Sequence, residues 1–253
     1  NTAVSDIVVD KQSNIWYSSS KQGIMKLSLN PFLNLFKKMN LKESAVNAVL
    51  YDQGIAYIGT DSGVMKVTLD DDAEGIPDKT LKLFDGVRIR HIMKDSKDNI
   101  WFAAYEGNGL VRIDKKNKIK IFTPENSGIE GNRFRYVLEL DDGRILAASS
   151  DGVSFIQGDK VVKTLGSEDM TVPKILAAYQ EKDGSIYLAT DGDGIYVVNN
   201  DQITEHISED EGLLSDVVMK IVPCTDGRIY VASNGLYYHQ NDGSVRKLEN
   251  FPY

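Results

Sequence analysis

The sequence predicts an all-β fold, a β-propeller built from about six four-stranded antiparallel blades, and three observations predict it. First, a phrase best seen as "KDNIWFAAYEGNGLVRID" at 97–114 returns in weaker form five times, from Gln12, Gln53, Asp142, Asp183 and Asp226. Second, two independent alignments of the copies agree. On the bulky residue (Trp16, Tyr57, Trp101, Leu146, Tyr187, Tyr230) they step by 41, 44, 45, 41 and 43 residues. On the glycine that opens the following segment (Gly23, Gly63, Gly109, Gly152, Gly194, Gly235) they step by 40, 46, 43, 42 and 41. Third, each unit holds short apolar segments separated by turn signals, and a period of ~40–45 residues with that content is a propeller blade.

The second repeat shows the elements in order. "AVNAVLYD" reads as strand A, "IAYIGT" as B, "GVMKVTL" as C and "TLKLFD" as D. Each is rich in Val, Ile, Leu or Tyr and bounded by Asp, Asn, Gly or Ser. The A-to-B turns "KDN", "DDGR", "KDGS" and "TDGR" carry the Asp/Asn-Gly chemistry that supplies positive φ in tight hairpins. No segment sustains a 3.6-residue period, so helices should be nearly absent. A single sheet cannot bury both its faces, and blades stacked radially cover one another. The bulky residue of strand B then becomes the wedge between sheets, which makes Trp16, Tyr57, Trp101, Leu146, Tyr187 and Tyr230 the expected blade core.

The expected organisation is one propeller domain over 1–253, with repeats at about 1–41, 42–85, 86–127, 128–167, 168–210 and 211–253. It opens on strand A and closes on strand D ("SVRKLENF"), so the repeats are whole blades. Either they close a six-bladed ring, or they are a fragment of a seven-bladed or larger one. The abrupt start inside a repeat suggests excision from a longer protein.

Composition is that of an ordinary globular domain, 42% hydrophobic and 26% charged. A net charge of -8 argues against general nucleic-acid binding and offers no anchor for an anionic membrane. Cys224 is the only cysteine, which excludes an internal disulfide and, with three scattered histidines, disfavours a Cys/His zinc site. No apolar run approaches a membrane span.

The repeated pattern is apolar-x-x-apolar-x-x-Asp, a turn, Ile-Trp/Tyr, a small-residue strand, then Gly-apolar. "VSDIVVDKQSNIWYSSSKQGIMKL" and "IRHIMKDSKDNIWFAAYEGNGLVRID" carry it best. It resembles the two-component regulator propeller repeat, over the whole chain. The resemblance implies the extracytoplasmic sensor region of a membrane-bound bacterial receptor, linked in the same chain to a histidine kinase or diguanylate cyclase. It also implies a carbohydrate breakdown product as the signal class. The chain departs from the pattern in places: Ile-Gly-Thr survives only at 58–60, Leu146 replaces the aromatic, and the second repeat has a shortened A-to-B turn.

Catalytic motifs are absent: no Gly-x-Ser-x-Gly, no phosphate-cradling Gly-x-x-x-x-Gly-Lys, no His-Glu-x-x-His. "DGDG" at 191–194 lacks the further carboxylates of a calcium loop and reads as a B-to-C corner. "KKNKIK" at 115–120 reads as an exposed C-to-D hairpin tip whose lysines discourage edge pairing. No cofactor or metal is expected.

In a propeller of this strand order the D-to-A connections and B-to-C corners share the face around the channel mouth. There the third repeat offers Arg88, Arg90, Tyr105, Glu106 and Asn108, the fourth Asn132, Arg133 and Arg135, and the fifth Lys174. Arginine suits bidentate recognition of carboxylate or sulfate. The alternative is that these cations pair with nearby Asp and Glu.

These readings favour a non-catalytic sensor ectodomain for a small ligand such as an oligosaccharide, with homodimerisation a further option and no nucleic acid partner. Tyr105, Asn108 and Asn132 would hydrogen bond or stack, and Arg90, Arg133 and Arg135 would engage an anionic group. One alternative is a propeller lyase or lactonase using His91 with Glu106. Another is a protein-interaction platform.

Overall fold

A computed structural model describes residues 4–11, 15–19, 23–27, 35–39, 43–69, 74–213, 215–225, 227–233, 235–240 and 244–248. The turn residue Asp226 and the chain beyond Leu248 lie outside them. The chain divides into two compact units, 1–43 and 44–253.

In the first unit β1 (Val4–Val9), β2 (Ile15–Ser19) and β3 (Gly23–Leu27) form an antiparallel sheet, followed by one helical turn, α1 (Leu35–Lys38). Trp16 on β2 is half-buried; its indole N–H donates to Asp10 Oδ2 at 2.8 Å, and Lys26 lies 5.1 Å over its ring.

The second unit holds five antiparallel sheets, each a meander in chain order. They are β4 (Val46–Asp52), β5 (Ile55–Thr60) and β6 (Gly63–Thr68); then β7 (Arg88–Lys94), β8 (Ile100–Tyr105), β9 (Leu110–Ile113) and β10 (Ile119–Phe122). After the helical turn α2 (Pro124–Ser127) come β11 (Phe134–Glu139), β12 (Ile145–Ser149), β13 (Val153–Gln157) and β14 (Lys160–Leu165). Next are β15 (Ile175–Gln180), β16 (Ile186–Thr190), β17 (Ile195–Asn199) and β18 (Gln202–Ile207). The last are β19 (Val218–Cys224), β20 (Gly227–Ala232), β21 (Gly235–Gln240) and β22 (Val245–Lys247). The first strands of successive sheets are neighbours, β4 to β7 to β11 to β15 to β19, and line the axis of a propeller.

Among the described residues four of the six sheets have the expected four strands and two have three. The second repeat corrects the sequence reading: "TLKLF" is a 3-10 helix, Lys79–Phe84, and not strand D. Pro77 precedes it, Asp78 caps it by accepting from the Thr80 amide at 3.0 Å, and its buried residues Leu81 and Phe84 follow the three-residue repeat of that helix. The edge of β6 is covered instead by the preceding segment, through Thr68 N–H to Glu74 O (2.9 Å) and Ile76 N–H to Lys66 O (2.7 Å).

Four apolar cores lie between the five sheets. Phe84, Ile89, Phe102 and Val111 fill the first; Trp101, Ala103, Phe122, Phe134 and Val137 fill the second. Leu146, Phe155, Ile175 and Leu188 build the third, and Tyr187, Val197, Ile221 and Tyr230 the fourth. Strand β8 shows why the repeated phrase has its form. Trp101 and Ala103 face the next sheet, Phe102 and Ala104 the previous one, and all four are buried. Trp101 is 1% exposed, Leu146 and Tyr230 0% and Tyr187 9%, while Tyr57 is half-buried at the edge of the first core; Tyr230 faces the previous sheet, as Phe102 does.

The second repeated feature, the glycine, has its own cause. A Cβ on Gly109 would lie 2.7 Å from Phe122 O, and one on Gly194 would collide with Ile207 O. Both have positive φ, 66° and 65°. From the second repeat to the fifth, the fourth segment ends with a carbonyl laid across the B-to-C corner, and glycine leaves room there, whereas Gly235 in the sixth meets the Lys247 side chain instead.

Candidate functional site

The rim of the axis is shaped by a β-bulge that recurs at one register position. Pairing with the second strand shifts between Val46 and Ala48, Ile89 and His91, Phe134 and Tyr136, Ile175 and Ala177, and Val218 and Lys220. The extra residues are Asn47, Arg90, Arg135, Leu176 and Met219. A bulge leaves one residue out of the ladder and re-aims its side chain.

The nine residues expected at the mouth separate by register. Two positions before the bulge residue stand Arg88, Arg133 and Lys174, and each meets a corner aspartate. Arg88 Nε lies 2.9 Å from Asp61 Oδ1, Arg133 Nη2 3.3 Å from Asp151 Oδ1, and Lys174 pairs with Asp191. These pairs are substantially exposed, 41% on both sides for Arg88 and Asp61, so they stabilise little. Asp61 also accepts from Asn47 at 2.9 Å, and that bond, ahead of the Arg88 and Arg90 charges, lowers its pKa.

The bulge arginines differ. Arg90 and Arg135 both stack on Tyr105, their guanidinium carbons 5.3 and 4.9 Å from the ring centre. Arg135 also donates from Nε to Ser150 Oγ at 3.1 Å, and its Nη2 lies 3.5 Å from the Tyr105 hydroxyl. Among the described residues neither guanidinium has a carboxylate partner. Burial, then the charges of Arg135 and Arg88, push the Arg90 guanidinium down from its ordinary value.

Asn108 is committed elsewhere: its amide donates to Leu83 O at 2.5 Å and ties the corner to the neighbouring 3-10 segment. Glu106 is exposed at φ 72°, and Asn132 is exposed on the connection after α2. The structure thus gathers Arg90, Tyr105 and Arg135, engages Arg88, Arg133, Lys174 and Asn108, and leaves Glu106 and Asn132 at the surface. What sequence reasoning missed is the bulge. Its signal was present, since Arg90 and Arg135 occupy the same place in "RIRHI" and "RFRYV".

His91 sits just past its bulge, stacked on Tyr136 at 4.1 Å, with Nδ1 accepting from Val137 N–H at 3.4 Å. Burial, helped by the Lys220 charge, lowers its pKa to about 4. No contact joins it to Glu106 among the described residues, so the pair proposed for lyase or lactonase chemistry is not assembled. The "DGDG" corner holds Asp193 against the Tyr196 hydroxyl and against His206, whose Nε2 lies 3.4 Å from Asp193 Oδ1.

A cleft of about 490 Å³ opens at the other end of the blades, between the fifth and sixth repeats, beside Glu181, Tyr187, Glu205 and Arg228. Its charge is satisfied locally: Arg228, 6% exposed, lies 4.1 Å over Tyr187 and bonds Glu181 Oε2 at 3.0 Å.

No family model matches this sequence, and no curated protein does. Solved structures share its fold. The extracellular domain of BT3049 from B. thetaiotaomicron, assigned as a hybrid two component system, superposes with a TM-score of 0.72 at 20% identity, over 98% of this chain and 34% of that one. The extracellular domain of BT4673 from the same organism, assigned as a one component system, gives 0.70 at 16%, over 98% and 33%. This chain therefore spans about a third of the length of those domains. Virginiamycin B lyase from Staphylococcus aureus, bound to quinupristin, gives 0.63 at 13% identity, over 97% of this chain and 84% of that one. Each likeness establishes the propeller fold.

Proposed function

We propose that this chain is a non-catalytic sensing propeller from the extracytoplasmic part of a membrane-anchored receptor, and that it binds a small saccharide at the channel-mouth face of the third and fourth blades. The six repeats form one propeller over 1–253, alone or as part of a larger ring, and it reports to signalling domains in the same chain. The observation that carries this reading is the group Arg90, Tyr105 and Arg135, rim cations that make no direct ion pair among the described residues, with Asp61 the carboxylate whose charge reaches Arg90. The likeness to receptor extracellular domains supports the class, and the repeat pattern supports the saccharide.

The lyase likeness keeps an enzyme as the second reading. It is disfavoured by His91, which is held neutral by burial and packed against Tyr136 and Val137. A thermal-shift screen against neutral and acidic oligosaccharides, with mass analysis of each pool afterwards, tests the choice. A ligand that binds only the folded state adds about 2.7 kcal/mol at a hundredfold excess over Kd. A raised melting point with an intact pool supports the sensor. A depleted pool replaces it with the enzyme, and no shift with any sugar rejects a saccharide site on this chain.

A further inference from the structure

The five bulges of the second unit place one side chain per sheet at equivalent rim positions, and those side chains are not alike; β1 carries a sixth bulge between Val4 and Asp6. Asn47 is engaged with Asp61, Arg90 and Arg135 carry charge, and Leu176 and Met219 are apolar, Met219 being 47% exposed. The bulge positions are therefore polarised, cationic on two adjacent blades and apolar on the next two, although Lys174 and Lys220 stand near the latter.

Three arginines in the described residues have a buried Nε with no hydrogen-bond partner: Arg90, Arg112 and Arg228. Arg112 and Arg228 are nevertheless matched by carboxylates, Asp159 at 2.7 Å and Glu181 at 3.0 Å. Arg90 has no such match among the described residues. The corner acid whose charge reaches Arg90 is Asp61, and its carboxylate is bonded to Arg88 and Asn47 instead, while Glu106 is exposed and forms no described ion pair. Two like charges held against one ring repel each other, which offsets part of what the ring contacts gain. An incoming anion would convert that repulsion into two attractions, in the planar two-donor geometry that guanidinium groups offer to oxyanions.

We propose that Arg90 and Arg135, both held against the Tyr105 ring, form a single oxyanion clamp, so that the ligand of this face carries a carboxylate or sulfate group and turns a less polar part toward Leu176 and Met219. This rests on the ligand-sensing reading above and adds the chemical class.

Isothermal titration at low ionic strength tests it with three probes: a trigalacturonate for carboxylate, a sulfated disaccharide for sulfate, and maltotriose as the neutral control. The wild-type domain should bind at least one acidic probe. That affinity should fall at least about tenfold in Arg90→Gln and in Arg135→Gln and fall with added salt. It should persist in the double variant Arg88→Gln/Arg133→Gln, whose cations are already paired. Melting points of Arg90→Gln and Arg135→Gln no lower than wild type would show that binding is lost without unfolding. Binding of maltotriose as tight as the acidic probes, undiminished in the Arg90→Gln/Arg135→Gln double variant, overturns the clamp and leaves the saccharide reading standing. Failure of wild type to bind either acidic probe also overturns the clamp, and the neutral arm then decides the saccharide reading by itself.

Discussion

The indole N–H of Trp101 donates to Asp95 Oδ2 at 2.8 Å, from a position six residues further along the chain. Trp16 makes the same bond to Asp10 at the same spacing and distance. Asp95 also accepts the Asn99 side-chain amide at 2.8 Å and the backbone amides of Lys97 and Asn99 at 2.9 and 2.8 Å. One carboxylate thus closes the A-to-B turn and satisfies the buried edge of the wedge. Burial pushes the Asp95 pKa up, but those hydrogen bonds outweigh it and hold it below the usual range. Asp95→Ala would strand a buried indole donor and open the turn, costing about 2–4 kcal/mol in urea unfolding. Trp101→Ala should cost about 3–5 kcal/mol, and the double variant less than the sum, because the shared bond is lost once.

The fourth repeat dispenses with the bond by changing both partners. Leu146 stands where the tryptophan would be, and Leu140, six residues before it, packs in the same core. Leu140→Asp should therefore destabilise by about 3 kcal/mol or more, since the buried carboxylate meets no indole donor. Equal stability of Leu140→Asp and wild type in the same unfolding assay would refute this pairing.

Glycine substitutions should divide by what lies above each corner. Gly194→Ala meets the Ile207 carbonyl, whereas Gly158, also at positive φ (62°), has open space around it. Gly158→Ala should cost about 1 kcal/mol of backbone strain. Gly194→Ala should cost at least twice as much and lower the melting point accordingly.

Protonation of His91 opposes folding. Its pKa falls from 6.5 to about 4 in the folded protein, so the unfolded chain binds the proton first. Its contribution is intact above pH ~6.5 and is lost as pH falls toward ~4, by up to about 3 kcal/mol. Replacing His91 with Gln should flatten unfolding free energy across that window. An unchanged slope would mean that other groups set it.

The blade plan was legible because every repeat solves the same packing problem, and strand B records the solution in its wedge and small residues. The 3-10 segment at Lys79–Phe84 was not, because "TLKLF" alternates well enough for a strand and only burial of Leu81 with Phe84 shows the other period. At the rim, residue type alone could not separate Arg88 from Arg90. That choice depends on a bulge and on which aspartate the corner brings close, both of which are tertiary facts.

The central claim is that ligand meets the mouth of the third and fourth blades, and hydrogen exchange read by mass spectrometry locates it most directly. With a saturating probe from the titrations, peptides spanning 86–92, 103–109 and 130–137 should exchange more slowly. The cleft peptides around 179–187 and 227–240 should be unchanged. Protection confined to that cleft, or absent from the mouth while the probe is bound, would contradict the account.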